Sequence, residues 1–153
     1  MFQLRIADCL IPLAALLGPP VIIGVSTGTI ICNAYLSASV PYGIYDILLG
    51  PVANLFATTI IFKLRKNVLF GCILGAGIIG LIVGSYVWLL FPPSQNIFGV
   101  PLPIGWSLWA LSIVSLSISS LVAMAVIGYT LLIIFRRPNI IEPLKSRGLK
   151  TYD

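Results

Sequence analysis

Histidine is absent from the chain, and carboxylates nearly so: only Asp8, Asp46, Glu142 and Asp153 occur in 153 residues. Without an imidazole the usual general base and the commonest neutral metal ligand are missing. Cys9, Cys32 and Cys72 lie in apolar stretches without CxxC spacing, which excludes a zinc site and a disulfide framework and leaves them as small packing residues. No GxxxxGK[ST] loop occurs, so the chain does not hydrolyse ATP by itself. Ser112, Ser115, Ser117, Ser119 and Ser120 have no base to activate them and read as hydroxyls that bond to helix carbonyls. Neither catalysis nor a cofactor is expected. Arg5 and Asp8 fall where the apolar core of a signal peptide would have to be, so no cleavable leader is expected either.

What the chain has instead is apolar mass. Hydrophobic residues make up 59% of it, charged residues 8%, and the mean hydropathy is +1.09. No soluble domain of this length carries such a surface; the fold class is an all-α, polytopic membrane bundle. At about 20 residues per span there is room for roughly four to six helices and no separate soluble domain. Punctuation divides the chain into five. Gly18-Pro19-Pro20 separates a short first helix, about 6–17, from a second at about 21–36; a third runs from about 45 to 64, a fourth from about 68 to 91 and a fifth from about 106 to 135. The first is too short to cross a bilayer straight and is expected to be partial or tilted. The transmembrane bundle is placed at residues 1–138 and a basic tail at 139–153. Residues 92–103, rich in Pro, Ser, Asn and Gly, read as an aqueous loop able to act as a lid. Gly71, Gly75, Gly77, Gly80 and Gly84 give the fourth helix a face for close approach, either within the chain or to another membrane subunit.

The net charge of +5 sits at helix ends and in the tail, where membrane orientation explains it more simply than nucleic-acid binding. Basic residues prefer the cytoplasmic side, so Lys63, Arg65 and Lys66 belong inside, as do Arg136, Arg137, Lys145, Arg147 and Lys150, with the C-terminus. Asp46 then lies outside. Counting back along alternating spans brings Asn33, Asp8, Arg5 and Gln3 to the same external region. Asp46 leads into an uncharged run broken by Gly50-Pro51 and Asn54, and Asn33 must find hydrogen bonds inside an apolar helix. Together these groups describe a pocket open to the outside. The alternative is that Arg5 and Asp8 only pair with each other, three residues apart, and that Asp46 is solvated.

Three blocks of residues resemble the queuosine-precursor transporter (QueT-like) family. They are Phe2-Gln3-Leu4-Arg5-Ile6-Ala7-Asp8-Cys9-Leu10, the small-residue helix from Gly24 to Asn33-Ala34, and Tyr45-Asp46-Ile47-Leu48-Leu49-Gly50-Pro51-Val52-Ala53-Asn54-Leu55-Phe56-Ala57. Asp8 stands where the family usually has Glu, Ser119-Ser120 where it often has an acid, and a full helix that normally precedes the first block is missing ahead of Met1. The resemblance implies a substrate-specificity subunit of energy-coupling factor type. Such a subunit sits in the lipid bilayer, binds its ligand from outside and relies on a membrane coupling subunit and cytoplasmic ATPases for energy. The implied ligand is a 7-deazaguanine base. Asp46 and Asp8 would accept from its donor edge, Gln3, Arg5 and Asn33 would orient it, and Tyr42, Tyr45 or Trp106 would stack on its face. Two other readings share the composition: a specificity subunit for another vitamin or base, and a structural or assembly protein whose glycine face docks a partner.

Overall fold

The computed structural model describes residues 6–37, 41–90, 96–97, 100–101, 107–146, 148 and 150–152. Gln3, Arg5 and Trp106 lie outside them, as does most of the 92–103 loop. The chain is a helical membrane bundle. Among the described residues four helices are long and apolar enough to span a bilayer: Pro19–Ser37, Gly43–Lys63, Arg65–Leu90 and Trp109–Phe135.

The N-terminal element is a 3-10 helix, Ile6–Leu13, running into a single α-turn, α1, Ala14–Leu17. Pro12 sits inside it and denies the regular α ladder a donor. It is short, as expected, yet it is the most deeply placed element. Ile11, Ala14, Ala15 and Leu16 are all 0% exposed, so it is a plug at the bundle centre. Gly18, at φ 66°, ends it, and Pro19 starts α2, Pro19–Ser37, with a fixed φ suited to a first helical turn.

A turn at Pro41-Tyr42 leads into α3, Gly43–Lys63. Tyr42 takes a left-handed φ of 63°, and a side chain on Gly43 would run into the Ser37 carbonyl, so glycine is required there. A 3-10 turn, Arg65–Asn67, then reverses the chain into α4, Val68–Leu90. Two short strands, β1 at Asn96–Ile97 and β2 at Val100–Pro101, form an antiparallel ladder pairing Ile97 with Val100.

The last span begins as α5, Leu108–Val122, widens into a π segment, Ala123–Gly128, and ends as α6, Tyr129–Phe135. The π turn lies against the N-terminal plug. A Cβ on Gly128 would stand 2.6 Å from the Cys9 carbonyl oxygen and 2.7 Å from Pro12, so the widened turn and its glycine admit that backbone.

The glycines of α4 work inside the chain. Gly71 and Gly75 face Ile61 and Ala57 of α3, Gly80 and Gly84 face Ser117 and Ile113 of α5, and only Gly77 faces nothing within 4 Å. Helix α4 is accordingly central, with 50% of its span buried in the bundle, whereas α2, at 17%, is peripheral. The outward Ile, Leu and Phe side chains of all four spans meet lipid.

Both basic clusters lie at one end. The antiparallel order of α3, α4 and α5 places Lys63–Lys66 beside Arg136 and Arg137. The tail beyond them is partly structured: Pro138–Ser146 forms α7, and the Tyr152 N–H returns to donate to the Leu16 carbonyl at 2.9 Å. The Tyr152 ring sits edge-on to Phe62 at 5.3 Å, over the space left by Gly18.

Candidate functional site

The opposite end gathers the polar groups. Asp46 stands in the first turn of α3, where unpaired backbone N–H groups favour a carboxylate. It is half-buried, and hydroxyls from two other helices hold it: Ser37 of α2 donates to Oδ2 at 2.9 Å and Tyr86 of α4 donates to Oδ1 at 2.9 Å. Each carboxylate oxygen keeps a further lone pair for a ligand donor.

Asn33 completes the outer cluster. Its Nδ2 donates to the Asp46 backbone carbonyl at 2.7 Å, in the helix turn above Gly50. A Cβ at Gly50 would lie 2.6 Å from that nitrogen, so glycine makes the room. Further in, the Asn54 Nδ2 donates to Thr29 Oγ1 at 2.7 Å, and Thr58 donates to the Asn54 carbonyl at 2.6 Å. Residues 29, 33 and 37 of α2 and 46, 50, 54 and 58 of α3 recur every four positions, so one face of each helix meets the other along a polar seam.

The expected meeting of Asn33 with Asp46 is therefore found, but Asp8 is held elsewhere. Asp8, 2% exposed, accepts from Ser120 Oγ at 2.6 Å, between the N-terminal 3-10 helix and α5. Gly80 faces Ser117 and Gly84 faces Ile113, which sets Ser120 level with Gly77, nine residues along α4 from Tyr86. At 1.5 Å per residue, the partner of Asp8 lies about 14 Å deeper than that of Asp46. Tyr45 also stays apart from the cluster; its side chain is 47% exposed beside Asp46. Gln3 and Arg5 fall outside the described residues.

Ser37, Tyr86 and Thr29 were missed by sequence reasoning, and Ser120, read as bonding to a helix carbonyl, bonds to Asp8 instead. Two of the missed residues carried a signal. A tyrosine hydroxyl in a glycine-rich apolar helix needs a partner, and Ser37 lies one turn beyond Asn33 on the same face.

Among the described residues no group of three His, Cys, Asp or Glu side chains could hold a metal ion. What remains is a set of acceptors and hydroxyls at one end of a lipid-embedded bundle, suited to capturing a polar molecule. The fold defines a multi-pass membrane protein.

The family can be stated more closely. The model of the family described as QueT transporter matches residues 1–137, and the chain belongs to that family. No curated protein and no solved structure matches it.

Proposed function

We propose that the chain is the substrate-binding membrane subunit for uptake of a queuosine or archaeosine precursor, a 7-deazaguanine base, with separate membrane coupling and cytoplasmic ATPase subunits supplying energy. The Asp46 carboxylate, held by Ser37 and Tyr86 with its remaining lone pairs unspent, is the observation that supports this most directly. A deazaguanine presents neighbouring N–H donors on one edge, and a carboxylate is their natural acceptor. Asn33 steadies the outer end of α3 through the Asp46 carbonyl, and Tyr45, exposed and next to Asp46 in the chain, would stack on the base.

In this reading the basic end is cytoplasmic, by the preference of Lys and Arg for that side, and the Asp46 end faces outward. Asp8 with Ser120 belongs to the deeper part of the site, and Gln3 and Arg5 are assigned to orienting the base. Titration of the purified full-length chain in detergent with 7-deazaguanine, guanine and common vitamins tests the reading. Selective binding of 7-deazaguanine, lost in a folded Asp46→Asn variant, is the expected result. Equal binding by both proteins, or preference for a vitamin, would overturn it.

A further inference from the structure

Asn54 carries an acceptor that the bundle leaves unused. The residue is 4% exposed, its Nδ2 donates to Thr29, and its Oδ1 has no hydrogen-bond partner. Exchanging the two ends of the amide does not resolve this. Thr29 Oγ1 bonds to the Val25 carbonyl at 2.7 Å and to the Asn54 amide at 2.7 Å; with its proton on Val25 it accepts from Nδ2, and turning the amide over would leave Nδ2 unpaired in place of Oδ1. Oδ1 is thereby turned away from α2. A buried, unpaired carbonyl oxygen in a membrane interior is unfavourable unless something brings it a donor.

Its depth is informative. Asp46 reaches Tyr86, Ala57 faces Gly75 and Ile61 faces Gly71, so the register of α3 on α4 sets Asn54 opposite Ile78. That is one residue from Gly77, the level at which Ser120 meets Asp8. Asn54 and the Asp8–Ser120 pair thus share one layer at mid-depth, and Asn54 stands two turns below Asp46 on the same face of α3.

We propose that Asn54 is a ligand-binding residue whose Oδ1 accepts an N–H of the transported base at this inner level, so that it selects for ligands carrying a donor there. The proposal rests on the uptake reading above and extends its site inward from Asp46. Asn54 then has two tasks, one for each end of its amide: Nδ2 ties α3 to α2, and Oδ1 meets the ligand.

The test compares 7-deazaguanine with analogues in which one N–H at a time is replaced by C–H or N-methyl, titrated into the full-length chain and into Asn54→Leu. The unsubstituted protein is expected to lose about tenfold or more in affinity for the analogue lacking the matching donor. Asn54→Leu is expected to bind that analogue and the parent base alike. Thr29→Val, which loosens the amide but keeps Oδ1, should retain the discrimination. If Asn54→Leu does not fold, Asn54→Ala removes the same oxygen with less bulk.

Discrimination unchanged in a folded Asn54 variant, with only the melting temperature lowered, would make Asn54 a helix tie and overturn the proposal. If the unsubstituted protein binds no base, the uptake reading fails and this assignment with it. If it binds, and Asp46→Asn abolishes binding while the folded Asn54 variants still discriminate between the parent base and the analogue, only the assignment of Asn54 fails.

Discussion

Helices α4 and α5 meet through side chains that are missing, whereas α2 and α3 meet through side chains that are polar. At the first interface Gly80 and Gly84 let α5 approach so closely that Ile113 backbone atoms fill the space of a Cβ. At the second, Ser37, Asn33 and Thr29 of α2 are bonded to Asp46 and Asn54 of α3. Lipid tails are as apolar as leucine, so helices in a membrane gain by close packing or by hydrogen bonding. At Gly80 and Gly84 the glycine interface is closed by direct contact with α5. The polar one keeps spare acceptors, at Asp46 and at Asn54 Oδ1, and lies at the peripheral helix of the bundle. Rigidity and recognition are thus divided between the two halves of one small fold.

Substitutions that exchange the character of the two interfaces sharpen this contrast. The largest effect is expected from Gly84→Leu, whose Cβ would stand 2.6 Å from the Ile113 Cα. Backbone cannot move aside as a side chain can, so a loss of about 3 kcal/mol or more, seen in thermal unfolding in detergent, is expected. Asp46→Asn should do the reverse, lowering affinity for 7-deazaguanine by about 10- to 100-fold in equilibrium titration while changing stability by less than ~1 kcal/mol. A large drop in melting temperature without loss of binding would make Asp46 a structural tie.

Gly50→Ala lies between these cases. Its new methyl would meet the Asn33 amide at 2.6 Å, a side chain that can shift, so a loss of about 1 kcal/mol and a severalfold drop in affinity are expected together. Tyr86→Phe removes one of the two hydroxyls on Asp46 and should weaken binding about fivefold, corresponding to ~1 kcal/mol. Gly77→Ala is the control. Nothing lies within 4 Å of its Cβ position, and alanine favours helix by up to ~1 kcal/mol, so stability should hold or rise slightly and binding stay unchanged.

Much of this contrast is legible in the residues. The glycine spacing of α4 marks a packing face, and Asn33 and Asp46 stand out because polar groups in apolar helices need partners. Which partner each glycine meets is not legible, because α4 turns Gly71 and Gly75 to one neighbour and Gly80 and Gly84 to another. Asp8 shows the limit most clearly. Counting spans places it near the external face, but that count treats the first helix as a crossing from one surface. The 3-10 plug instead carries Asp8 inward to Ser120, a distant residue that only packing could pair with it.

By itself the sequence determined that this protein is a helical membrane bundle, where its helices break, and which end is basic. Those properties follow from local chemistry: the cost of bare backbone in lipid, the missing donor of proline, and the charge at helix ends. The tertiary structure alone decided that the short N-terminal element is buried in the core, that Tyr86 reaches Asp46, and that Asn54 keeps an acceptor free. Each of these depends on how one helix is rotated and shifted against another. In an apolar solvent many rotations bury similar surfaces, and the choice among them rests on contacts between residues far apart in the chain.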